Sequence, residues 1–70
     1  MTYEYFQKYL AKGDEVRVVS RSPELHGVMG RCGLVVRINK RGETGVCEVE
    51  IDDKIYLCVA ADIEAAPMVV

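Results

Sequence analysis

The feature that most constrains this chain is a repeated pattern of glycine turn followed by strand. Gly27-Val28-Met29-Gly30-Arg31-Cys32-Gly33 runs straight into Leu34-Val35-Val36-Arg37-Ile38, and Gly13-Asp14-Glu15 leads into Val16-Arg17-Val18-Val19 in the same way. A turn followed by a β-branched alternating run specifies a short strand. Glycine costs backbone entropy, so three at a spacing of three mark sharp bending or close packing, not idle linker. The chain has 70 residues, enough for one domain. A domain this small buries only about 60% of its unfolded surface, and such cores are commonly helped by disulfides, a metal or association.

Half the residues are apolar, too many for a disordered chain. No apolar run approaches the ~20 residues needed to span a bilayer, and no basic-then-apolar leader opens the sequence. The expectation is a cytoplasmic protein with no membrane association. Three cysteines, Cys32, Cys47 and Cys58, are an odd count with no C-x-x-C pair, unlike the framework of a secreted mini-domain. Cys47 and Cys58 fall in strand-like runs and read as small buried hydrophobes. Together with His26 the three thiols would make a four-ligand zinc set, but their spacings match no zinc pattern. No metal or cofactor is expected.

Residues 2–12 read as a helix. Thr2 can cap it, Glu4 sits in the first turn, Lys8 and Lys12 lie late, and Gly13 can close it. Glu4 and Lys8 form a favourably ordered i,i+4 pair. Tyr3, Phe6 and Leu10 make an apolar stripe with Tyr5 and Tyr9 beside it, so four of the five aromatic residues lie within the first nine positions. The stripe is expected to pack against the rest of the domain, because so short a helix is marginal alone. Tyr5 and Tyr9 are left as candidate partner-binding residues.

Residues 14–65 read as the β-rich body and 66–70 as a tail. The first strand covers Glu15–Ser20, with Val16 and Val18 on one face, and Pro23 breaks it. The second covers Leu34–Ile38, with Leu34, Val36 and Ile38 inward. A loop from Asn39 to Gly45 leads to a third strand, Val46–Ile51, with Cys47, Val49 and Ile51 inward and Glu48 and Glu50 outward. Asp52-Asp53-Lys54 is a tight turn, and Ile55–Val59 a fourth strand. One helical turn, Ala60–Asp62, precedes a last short strand, Ile63–Ala65.

Charge is split along the chain. From Val16 to Arg41 there are six basic residues (Arg17, Arg21, Arg31, Arg37, Lys40, Arg41) against Glu24 alone. From Gly42 onward seven acids face one base, Lys54. Matching inward faces pairs Ile38 with Cys47 and Val36 with Val49, and sets Arg37 opposite Glu48, so part of the asymmetry cancels across the sheet. Arg21, Arg31, Lys40 and Arg41 remain as a loop patch. That is thin for nucleic acid, and the net charge of −2 disfavours such a partner.

Five short strands, a long glycine-bearing loop and a one-turn helix before the last strand resemble an SH3-like barrel. Gly30-Arg31-Cys32-Gly33-Leu34-Val35 is similar to the core of the KOW motif, which implies RNA or protein binding through loops. Over most of its length the chain also resembles the electron-transport accessory group, which includes the variable chain of ferredoxin–thioredoxin reductase. The shared positions are Gly13-Asp14-Glu15-Val16-Arg17-Val18, Gly30 to Val35 and Asp62-Ile63-Glu64. That resemblance implies a non-catalytic subunit that braces a partner. Lys54-Ile55-Tyr56 echoes the active segment of the pore-type dihydrofolate reductases, but Lys54 replaces the pore glutamine and the chain has no tryptophan.

No residue set fills the roles of an active site. His26 and Cys32 lie six apart in one loop, conceivable as a nucleophile pair, though a solvated or capping histidine is the simpler reading. Asp52-Asp53 is explained by turn propensity. The expectation is a small binding or accessory module acting through protein contacts or self-association, with nucleic-acid binding as the alternative. The candidate partner-binding residues are Tyr5, Tyr9, His26, Arg31, Cys32, Lys40 and Arg41.

Overall fold

A computed structural model describes residues 1–41 and 45–66. The expectations for the middle of the 39–45 loop and for tail residues 67–70 lie outside those residues. The elements are α1 (Tyr3–Tyr9), β1 (Glu15–Val18), a 3₁₀ helix (Pro23–Val28), β2 (Cys32–Asn39), β3 (Val46–Ile51), β4 (Lys54–Cys58), a 3₁₀ turn (Ala60–Asp62) and β5 (Ile63–Ala65). The five strands form one antiparallel sheet in the order β4-β3-β2-β1-β5. Among the described residues β4 and β5 are not paired, so the sheet is open.

Local signals account for most of these boundaries. Thr2 caps α1, its Oγ1 accepting from the Tyr5 N–H at 3.1 Å, and Lys8 Nζ lies 2.8 Å from Glu4 Oε1. The helix ends at Tyr9, earlier than the expected Lys12, because Leu10 is already extended (φ −69°, ψ 133°). From there the chain turns directly into pairing: Gly13 N–H donates to the Val35 carbonyl (2.8 Å) and Val35 N–H to that of Asp14 (2.9 Å). Pro23 starts the 3₁₀ helix that holds His26, a segment expected to be loop. Asp52 and Asp53 both have positive φ (51° and 66°). This is the two-residue I′ turn whose twist suits a hairpin, so Lys54 belongs to β4 and not to the turn.

The core lies on one face of the sheet. Val16 and Val18 from β1, Val35 from β2, Cys47 and Val49 from β3, Cys58 from β4 and Ile63 from β5 are buried there, with Phe6 from α1 and Leu10 just past its end. Burial of the Phe6 ring contributes about 2–3 kcal/mol. The ring fills the space beside Gly45, where an added Cβ would fall 2.5 Å from Phe6 Cε1. Gln7 and Lys40 tie α1 to the end of β2: each side-chain nitrogen donates to the other's backbone carbonyl at 3.0 Å. The stripe therefore docks as expected, except that Tyr3 stays 44% exposed.

β2 departs from its expected register. Ile38 faces Cys47 and Arg37 faces Glu48, but Val49 pairs with Val35, not Val36, because a bulge intervenes between Val35 and Arg37. Val36 is the surplus residue. Consequently Val35 points inward and Leu34, expected inward, lies outward and 48% exposed. Gly33 also faces inward, opposite Val16. An ideal Cβ there would come 2.5 Å from the Glu50 carbonyl oxygen and from Ile51 Cγ1, and 2.8 Å from Val49 Cγ1.

Candidate functional site

Two tyrosines of α1 face outward. Tyr5 and Tyr9, four residues apart on the helix, lie with ring centroids 5.2 Å apart and planes at 49°. They are 42% and 66% exposed. Beside them Met1, Thr2, Tyr5, Glu64 and Ala65 line an open depression of about 270 Å³. The Met1 amino group donates to the carbonyls of Ala60 (3.0 Å) and Ile63, which holds the N-terminal segment beside β5. Tyrosine couples a large apolar ring to a polar tip, so such rings suit contact with another protein.

The loop candidates are dispersed rather than gathered. Arg31 is ion-paired with Asp52. The Lys40 ammonium donates to the Gln7 carbonyl at 3.0 Å. Arg41 is exposed, with its N–H bonded to Asn39 Oδ1 at 2.9 Å. His26 is exposed on the 3₁₀ helix and Cys32 is exposed at the start of β2, with no hydrogen bond joining them. Two of the three basic residues that would have contacted a phosphate backbone thus already hold intramolecular partners.

The remaining thiols belong to the core. Cys47 and Cys58 are direct partners across β3 and β4, each 1% exposed. Burial pushes the Cys47 thiol up to about 11, with the Asp62 carboxylate adding to the effect. Burial pushes Cys58 up to about 12, reinforced by Cys47 and then Asp62. Both thiols are neutral at physiological pH. Cys32 points to the opposite face of the sheet, since it pairs with the outward Arg17. The three cysteines and His26 therefore do not converge, and no cluster of three or more metal-ligating side chains exists among the described residues.

Asp62 organises a part-buried polar network. It accepts from the buried Ser20 hydroxyl at 2.7 Å and from the Val59 N–H at 3.0 Å. Its carbonyl takes the Val19 N–H at 2.8 Å, and Ser20 Oγ accepts from the Ser22 N–H at 3.0 Å. These contacts pin the end of β1 to the 3₁₀ turn.

A second apolar surface went unread in the sequence. On the outward face of β4, Ile55 and Leu57 are 49% and 68% exposed. Leu57 borders a depression of about 290 Å³ shared with Arg37, Ile38, Asn39, Val46 and Glu48. The clue available was the strict alternation of Lys54-Ile55-Tyr56-Leu57-Cys58, which sets Ile55 and Leu57 on the face opposite Cys58. Among the described residues no helix is long and apolar enough to cross a membrane. No protein-family model, curated protein or solved structure matches this chain.

Proposed function

We propose that this chain is a small non-catalytic binding or accessory module that works through protein–protein contacts, as a subunit or a homo-oligomer, on an SH3-like frame. The strand order, the bend at the β2 bulge and the 3₁₀ turn before β5 support the frame. One observation carries the functional reading. The N-terminal segment buries Phe6 of α1 and Leu10 just past it, yet α1 presents Tyr5 and Tyr9 as an exposed aromatic pair. Helix anchoring accounts for the buried pair and leaves the exposed pair without a structural duty.

The test is a Tyr5→Ser/Tyr9→Ser double variant. Exposed substitutions of this kind change stability by roughly 0.5 kcal/mol or less. The variant should melt within a few degrees of the parent and lose the protein contacts made through the tyrosine pair, measured by comparative affinity capture. A parent chain that stays monomeric and captures nothing beyond what the double variant captures refutes the reading.

A further inference from the structure

The two free edges of the sheet are treated unequally. β5 is three residues long, its Glu64 is bound to Arg17, and the Met1 amine occupies the Ile63 carbonyl. Short length, charge and a covering segment are ways of closing an edge to further pairing. Among the described residues β4 has neither the short length nor the covering segment. It is five residues long, and among the described residues it pairs with β3 alone. It contains no proline, its side chains facing the sheet's outer surface are Ile55 and Leu57, and its one charge is Lys54 at the end.

The backbone of β4 has a defined polarity. In a two-residue hairpin the residues flanking the turn form a hydrogen-bonded pair, and such pairs alternate with non-bonded ones along the ladder. Here the flanking pair is Ile51 with Lys54. Lys54, Tyr56 and Cys58 therefore direct their N–H and C=O groups to β3. Ile55 and Leu57 direct theirs to the open edge.

From this geometry we infer that β4 pairs antiparallel with β4 of a second copy about a two-fold axis at Tyr56. The inference deepens the protein-contact reading and rests on it. In this register Ile55 meets Leu57 of the other copy, and both are residues whose backbone groups face outward, so they exchange hydrogen bonds in both directions. Lys54 meets Cys58, and Tyr56 meets Tyr56 as an aromatic cross-strand pair. Four aliphatic side chains gather on the outer face, and no like charges stand opposite each other. Glu48 and Glu50 lie one strand back, so the glutamates of the two copies are about three strand spacings, roughly 14 Å, apart. That exceeds the ~8 Å screening length at physiological salt. Centring the axis on Ile55 instead would set Asp53 against Leu57.

The seam is small. One five-residue strand buries well under the ~800 Å² per partner of a standard interface, so the dimer is weak, with a dissociation constant of roughly 10–100 µM. The guarded β5 edge ends the assembly at two copies, because an isologous contact uses up the one edge left open among the described residues.

The test is amide hydrogen exchange by NMR on the whole chain from 20 µM to 1 mM, beside sedimentation, for the parent, Leu57→Lys and Tyr5→Ser/Tyr9→Ser. The inference expects exchange at Ile55 and Leu57 to slow by roughly four- to sixfold as concentration rises, the change in free-monomer fraction that mass action gives over this range, while Tyr56 stays protected throughout. Leu57→Lys should abolish both the concentration dependence and the dimer while melting like the parent. A monomer at 1 mM overturns the inference, as does protection independent of concentration, which would show the edge covered within one copy. Self-association that survives Leu57→Lys but vanishes in the tyrosine variant also overturns it while upholding the protein-contact reading. A parent that stays monomeric at 1 mM and captures no protein ends both.

Discussion

The glycine triple yields a graded prediction, because its three members face different constraints. At Gly33 an alanine Cβ would stand 2.5 Å from the Glu50 carbonyl oxygen and from Ile51 Cγ1. Ordinary C···O contacts begin at about 3.3 Å, and carbon pairs settle at about 3.5–4.0 Å. One obstacle is backbone inside a paired strand, so β2 and β3 must part by most of an ångström. Overpacking of this kind costs about 3 kcal/mol. At 0.05–0.15 kcal/mol per residue, a domain of this length holds only about 4–10 kcal/mol in all. Gly33→Ala should therefore lower the melting temperature by roughly 12–24 °C, at about 4–8 °C per kcal/mol. Gly30 has open space around it but φ of +83°. Alanine there costs about 1–2 kcal/mol of left-handed strain. Gly27 has neither a neighbour within 4 Å nor positive φ, so alanine should be neutral or stabilise by up to ~1 kcal/mol. Thermal and urea melts followed by circular dichroism give the order. A Gly33→Ala variant within 3 °C of the parent, or a Gly27→Ala variant as damaged as Gly33→Ala, would mean that close approach does not govern this segment.

Two further predictions concern buried polar and thiol groups. Asp62→Ala leaves the Ser20 hydroxyl and the Val59 N–H without their acceptor, and should cost about 2–4 kcal/mol in urea melts; a loss below 0.5 kcal/mol would remove the network from the account of stability. Cys47 and Cys58 titrate near 11 and 12 when folded against 9.0 otherwise. The unfolded chain therefore releases these protons first, and stability present below pH 9 falls as pH rises towards 11–12, by up to ~1.4 kcal/mol per pH unit per thiol. Cys47→Ala/Cys58→Val should flatten that limb relative to the parent. Equal slopes would refute the assignment.

Much of the fold was legible because turn chemistry and alternation agreed. β3, the Ala60–Asp62 turn and β5 fall where the pattern placed them, and the Arg37–Glu48 and Ile38–Cys47 pairs follow from matching inward faces. The bulge was not legible, since Leu34, Val35 and Val36 are all aliphatic and a period of two cannot tell which of them turns inward. Hydropathy likewise cannot say which strand ends a sheet, so the exposure of Ile55 and Leu57 appeared only with the strand order. Among the loop candidates, Arg31 and Lys40 looked available because their partners, Asp52 and Gln7, lie 21 and 33 residues away. The exposure of Tyr5 and Tyr9 was legible because helical spacing separates them from Phe6.

The surplus residue in β2 separates two properties usually encoded together. Every cross-strand partnership between β2 and β3 that flanks Val36 would persist in a continuous ladder lacking it. Such a ladder would be straighter, because a bulge concentrates twist and bend at one point. Partner choice is thus distributed along the strand, whereas curvature is entrusted to a single position. Lengthening or trimming the chain there would retune the shape of the sheet without rewriting which residues recognise each other.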